Sequence, residues 1–273
     1  MSIDDFKQSL AGYIHETGLE KFFARDDPFI QNLAEKAAAL SRDESTPLSK
    51  PENMRRLVTL SLYHPVIYCD DSGSMSTENR FARQRHLVSR MARIATRLVP
   101  DGHGVELRFI NTRITEQNLD MEALDNHLAN VQPRGGTRIG TVLRRDILSP
   151  LVYRKVDSSA LPRPLLVCAI TDGAPSSESP TSFKNAIVEC RRKLVAAGYE
   201  PTSVTFCISQ IGNDEQSAEF LAKLRDDEEI QDVLYCTTER LDGQFEEMKA
   251  NEGRLEEWLL KLMTKPIMER YDE

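Results

Sequence analysis

The chain has 273 residues, 40% hydrophobic and 29% charged, enough for a sizeable core near the upper end of one domain. Its 35 lysines and arginines against 43 aspartates and glutamates give a net charge of −8, which disfavours nucleic acid and anionic membrane as general partners. No apolar run is long enough to insert in a bilayer. The acidic start Met1-Ser2-Ile3-Asp4-Asp5 lacks an apolar signal region and no N-x-S/T sequon occurs, so an intracellular, cytoplasmic protein is expected.

The first predicted elements are helices. One covers about 3–17, with Phe6, Leu10, Tyr13 and Ile14 on one face. A second starts at Asp27-Pro28 and carries Phe29, Ile30, Leu33, Ala37 and Leu40. A polar linker over 41–49 leads to a third at 51–62. They read as a helical extension, 1–61, packed on the core formed by the rest of the chain; a partner-binding arm is the alternative, because amphipathic helices also dock in grooves.

From there strand and helix alternate. Strands are expected near 65–70, 104–110, 164–171, 202–209 and 232–236, with a short one near 113–116 able to form a hairpin with the strand before it. Helices are expected near 78–99, 120–130, 138–149, 180–197, 215–227 and 253–265. Ser179-Pro180 marks the start of the fourth of these and Gly198 its end. In the first, Phe81, Leu87, Val88, Met91, Ile94 and Leu98 form the apolar face; Arg83, Arg90, Arg93 and Arg97 read as a solvated stripe or as a dock for an acidic partner. Leu255, Trp258, Leu259, Leu262 and Met263 give the last helix its apolar stripe. Continuous apolar strands suit a parallel sheet covered on both faces. The expected fold class is α/β, a doubly wound, mostly parallel sheet with one short antiparallel edge strand and extra helices at both ends.

Chemistry concentrates where strands stop. The buried-looking run Val66-Ile67-Tyr68-Cys69 ends in Asp70-Asp71-Ser72-Gly73-Ser74. The carboxylate and two hydroxyls of D-x-S-x-S can turn their oxygens to one point, as a small hard cation requires. Gly73 lets the chain turn between them. Short Asp/Ser/Gly runs are also ordinary turn chemistry. Two further segments bear on the choice. Arg134-Gly135-Gly136-Thr137 offers a threonine hydroxyl at the start of a helix, and Leu165 to Asp172-Gly173 is a second strand ending in a carboxylate.

This ordered triple, D-x-S-x-S, G-G-T and T-D-G, resembles the von Willebrand factor type A domain and its metal-ion-dependent adhesion site, over residues 62–240. The resemblance implies a Rossmann-like fold with a divalent cation, Mg²⁺ or else Mn²⁺ or Ca²⁺, at the top of the sheet. Matched residue by residue, the metal site falls on Asp70, Ser72, Ser74, Thr137 and Asp172, with Gly73, Gly135, Gly136 and Gly173 as its rim. In the family the serine hydroxyls touch the metal, the threonine does so when ligand is bound, and the carboxylates often act through water. Mostly neutral ligands leave an ion under-neutralised, so it attracts an anionic oxygen from outside. The expected function is therefore a metal-dependent protein-binding module whose partner presents an Asp or Glu. Asp71 departs from the family's usual neutral residue; by strand alternation it points away from the metal loop and reads as a solvated turn carboxylate.

On this reading residues 241–273 form a C-terminal helical extension. Five cysteines without regular spacing argue for buried reduced thiols. Catalysis is not expected. The phosphate-binding loop G-x-x-x-x-G-K-S/T and the nucleophile elbow G-x-S-x-G are missing, and no general base is evident. A metal-dependent phosphoester hydrolase and a scaffold with a purely structural metal stay open as alternatives.

Overall fold

The computed structural model describes residues 1–24 and 26–268. Five strands form one sheet: β1 (His64–Cys69), β2 (Glu106–Phe109), β3 (Leu165–Thr171), β4 (Val204–Gln210) and β5 (Leu234–Cys236). Their order is β2-β1-β3-β4-β5 and every pairing is parallel. All seven residues of both β3 and β4 are buried, as continuous apolar runs in a covered parallel sheet require.

Alternation assigns each strand residue to one of two cores. Val66 and Tyr68 of β1, with Val167, Ala169, Phe206 and Ile208, belong to one core. Ile67 and Cys69, with Leu107, Phe109, Leu166, Cys168 and Ile170, belong to the other.

Helices cover both faces. The Ile67 side carries α1 (Ile3–Glu16), α2 (Pro28–Leu40), α3 (Pro51–Leu62), α4 (Arg80–Ala95) and α5 (Met121–Asn130). The Val66 side carries α6 (Ile139–Val142), a π-wound continuation (Leu143–Tyr153), α7 (Arg154–Asp157), α8 (Ser182–Ala196) and α9 (Glu215–Arg225). The chain ends on the Ile67 side in α10 (Leu241–Met248) and α11 (Glu252–Met268). The π winding encloses Pro150, which lacks an N–H and crowds the carbonyl four residues back in a normal turn. This helical run reaches Asp157, well past the expected 149. α10 is an addition to the expected elements: it has eight residues and contains Gly243, too short and too weakly patterned to read.

Two expectations need correction. The described residues form an all-parallel sheet, and 113–116 is not a strand. A single antiparallel bridge, Val105 to Leu119, stands in its place. Side chains of β2 capture the loop instead: Arg108 Nη1 donates to the Glu116 carbonyl at 3.0 Å, and Glu106 Oε1 accepts from Asn118 N at 3.2 Å. The arginine face of α4 is also less open than expected. Arg83 donates to Glu246 at 3.1 Å and Arg90 to Glu252 at 2.9 Å, because α10 and α11 lie against α4. Arg93 and Arg97 remain exposed.

All five cysteines are free and buried. Among the described residues no helix is long and apolar enough to cross a membrane.

Candidate metal centre

β1 and β3 are neighbours, and the chain winds outward from them in opposite directions. The crevice beyond their carboxyl ends is where doubly wound sheets bind ligands. Asp70 follows β1 directly and Asp172 follows β3 directly.

Asp70 is fully buried. Its Oδ1 accepts from the Ser72 amide at 2.8 Å and its Oδ2 from Thr171 Oγ1 at 2.7 Å. Burial pushes its carboxyl up to about 6, although these hydrogen bonds favour the charged form. Asp172 is equally buried. Its Oδ1 accepts from Ser74 Oγ at 2.8 Å, and Ser74 Oγ lies 3.0 Å from Ser72 Oγ. Thus Ser72, Ser74 and Asp172 are joined oxygen to oxygen, and Asp70 is joined to them through the Ser72 amide.

The middle loop is clasped from both sides. Gly73 N donates to the Gly135 carbonyl at 3.0 Å, and Arg134 N to the Asp71 carbonyl at 2.7 Å. Thr137 is buried; its amide donates to Ser176 Oγ at 2.8 Å and its carbonyl accepts from Ser176 N at 2.9 Å. A Cβ on Gly173 would stand 3.9 Å from Thr137 Oγ1, so the threonine hydroxyl borders the Asp172 loop. Gly135 sits at φ +75°, and a Cβ there would come within 2.6 Å of Asn111 Oδ1, a position that only glycine takes without strain. Asn111 also donates through Nδ2 to the Gly136 carbonyl at 3.0 Å. Ser74, Gly73 and Gly135 are exposed, so the cluster opens to solvent beside them. The structure therefore brings Asp70, Ser72, Ser74, Thr137 and Asp172 to one strand-end crevice, rimmed by Gly73, Gly135, Gly136 and Gly173.

Asp71 is not a solvated turn carboxylate. It is fully buried, and its Oδ1 accepts from Asn111 N at 2.7 Å. Burial raises its pKa, and hydrogen bonds from Thr112 and Asn111 oppose the rise. Its alternation is kept: it turns toward the end of β2 and ties that strand to the site.

Some residues of the crevice carry no local signal. Ser176 and Asn111 are ordinary polar residues in sequence, and only the fold brings them in, whereas Thr171 is the threonine of the T-D-G segment and serves by donating to Asp70. Glu178 caps α6 by accepting from Gly140 N and Thr141 N, both at 2.8 Å. Arg80 does carry a legible signal. It is the first residue of α4, where the helix dipole disfavours a cation, so a carboxylate partner is called for. That partner is Asp172, whose Oδ2 accepts from Arg80 Nη1 at 3.1 Å.

Chemically, the set is two carboxylates and three hydroxyls, all hard oxygen donors of the kind Mg²⁺ and Ca²⁺ take. Among the described residues no group of three or more His, Cys, Asp or Glu could hold a metal; this cluster differs from such groups in relying on hydroxyls.

No family model matches the chain, and no curated protein matches it. Among solved structures, proximal thread matrix protein 1 from the mussel byssus is similar at 18% identity with a TM-score of 0.46, over 74% of this chain and 47% of that one. A second crystal form of the same protein gives 18% identity and a TM-score of 0.45, over 73% and 48%. The chain thus spans about half the length of that protein's structure, and a likeness this distant carries no functional weight.

Proposed function

We propose that this chain is a divalent-metal-dependent protein-binding module of the von Willebrand factor type A kind. Asp70, Ser72, Ser74, Thr137 and Asp172 would hold the ion, and a protein partner would supply an Asp or Glu to it. The observation that carries the reading is the oxygen chain from Ser72 through Ser74 to Asp172, 3.0 Å and 2.8 Å long, at the point where strand order reverses. The donor set fits a hard cation in type, and its exposed end at Ser74 leaves room for an outside oxygen. A bound Mg²⁺ supplies an acceptor for that anionic oxygen; Mn²⁺ or Ca²⁺ would do the same. The chain's own residues hold the loops in register and keep the carboxylates dry.

One observation favours a second reading, hydrolysis of phosphate esters. Asp70, pushed up to about 6, has a proton affinity suited to a general base. Yet both its oxygens already accept hydrogen bonds and it is fully buried, which supports a positioning role instead.

Titrating Mn²⁺ into the protein tests the main reading. One ion per chain is expected, with no binding in Asp172→Ala. An array of short peptides then tests the partner class. Asp- or Glu-bearing peptides should bind in Mg²⁺, and chelator or Thr137→Ala should release them. Retention of the same peptides in chelator would refute metal-bridged binding, whereas turnover of a generic phosphoester that is lost in Asp70→Asn would favour the hydrolase.

A further inference from the structure

The guanidinium of Arg80 is tied into the site from several sides. Its Nη1 donates to Asp172, its Nη2 to Glu78 Oε2 at 2.8 Å and to Asn213 Oδ1 at 3.2 Å, and its Nε to Glu78 Oε2 at 3.2 Å. It is only 9% exposed. Two features around it are unfavourable by themselves. Its place at the start of α4 opposes the helix dipole. Glu78 and Asn79 just before it hold left-handed φ values of 51° and 57°, uncommon for residues with a side chain. Across from it, Gly212 at φ +84° leaves no room for a Cβ, which would lie 2.6 Å from Arg80 Nε. The fold tolerates the opposed dipole and the left-handed turn where the guanidinium meets Asp172.

We propose that Arg80 is a fixed counter-cation of the metal site: it holds Asp172 in place without metal, weakens divalent-ion binding, and so sharpens the site's pull on a partner's carboxylate. The inference rests on the metal-binding reading above. An ion among the donors meets two carboxylates, Asp70 and Asp172, but also a positive charge bonded to one of them. Like charges at this range repel, and burial weakens the screening. The ion is held less tightly and its charge is less fully cancelled. Arg80 does not meet the partner itself, since its residue is almost wholly buried. Glu78, 58% exposed at its side chain, partly offsets the guanidinium, so removing its charge should act in the opposite direction to removing Arg80.

The test is Mn²⁺ affinity, read by paramagnetic resonance of the free ion or by calorimetry, for the full chain and three variants. Arg80→Met is expected to tighten Mn²⁺ binding about tenfold, as loss of one nearby like charge implies. It should also lower the melting temperature of the metal-free protein more than that of the Mn²⁺-loaded one. Arg80→Lys keeps the charge and should bind Mn²⁺ close to wild type. Glu78→Gln should weaken binding several-fold. Equal or weaker Mn²⁺ binding by a folded Arg80→Met overturns the counter-cation role while leaving the metal site standing. Should Arg80→Met fail to fold, Glu78→Gln decides: unchanged or tighter binding overturns the role. If wild type binds no Mn²⁺ and Arg80→Met does, the guanidinium is confirmed as the opposing charge. If neither binds at millimolar ion, the metal reading falls, and this inference falls with it.

Discussion

Ser74 Oγ donates to Asp172 Oδ1 at 2.8 Å across 98 residues of sequence. This contact joins the loop after β1 to the loop after β3 and leaves the serine exposed at the mouth of the crevice. It divides the contribution of Ser74 into a metal-free part and a metal-dependent part. In chelator, Ser74→Ala should cost about 1 kcal/mol, the net value of one hydrogen bond to a charged group at partial exposure. In Mn²⁺ the gap should widen, since wild type gains stability by mass action and the variant does not. Thermal melts of both proteins with and without Mn²⁺ give the four values. A variant stabilised by Mn²⁺ as much as wild type would remove Ser74 from the donor set.

Gly135→Ala attacks the clasp without touching a donor. Alanine must adopt φ +75° and its Cβ must push Asn111 Oδ1 from 2.6 Å. Left-handed strain in a residue with a side chain costs about 1–3 kcal/mol, and Asn111 cannot give way easily because it also holds Asp71 and Gly136. Urea unfolding should show a loss in that range. Gly12→Ala, with open space around its Cβ, should be neutral or stabilising.

The chain alone reveals where strands run and stop but not every neighbour. β1 and β3 are legible because each is a nearly continuous apolar run, and Asp70 and Asp172 because each directly follows one of them. The predicted 113–116 strand fails because β2 commits the side chains of Glu106 and Arg108 to the loop backbone, and no local pattern announces that. Asp71 reads as solvated because alternation gives direction and not depth; Asn111, from a different βα unit, supplies its partner. Arg80 is a cation opening a helix, visible in the sequence, but the carboxylate that explains it is 92 residues away.

The pH response of the opposite end of the sheet depends on His64. Its Nε2 lies 3.2 Å from Glu106 Oε1, while Arg108 Nη2 already donates to Glu106 Oε2 at 2.6 Å. Burial lowers the His64 pKa, and Arg163 and Lys155 reinforce this against the pull of Glu106. A depressed pKa means the folded state binds the proton less readily than the unfolded chain. Its contribution to stability is therefore present above the ordinary histidine value and is lost as pH falls below it, each tenfold difference in proton affinity being worth about 1.4 kcal/mol. Between pH 7.5 and 5.5 wild type should lose more melting temperature than His64→Gln. An equal loss would assign the slope to other groups.

Arg163 fixes the α2 and α3 segments to the sheet and gives the largest expected loss. It is buried and donates to the carbonyls of Ser61, Leu62 and Tyr63 at the end of α3. Its guanidinium carbon sits 4.6 Å from the centre of the Phe29 ring of α2, and burial lowers its pKa to about 10. The last carbonyls of a helix have no partner within the helix, and here one planar fork serves three of them. Lysine offers a point charge without that fork. Arg163→Lys should therefore destabilise by about 2–3 kcal/mol, since buried carbonyls lose their donors, and Phe29→Leu by about 1 kcal/mol through the ring contact. Because both act on one guanidinium, the double variant should lose less than the sum of the two singles. Urea unfolding of the four proteins measures this coupling. Strict additivity would separate the ring from the cation and leave the attachment of α2 to apolar burial alone.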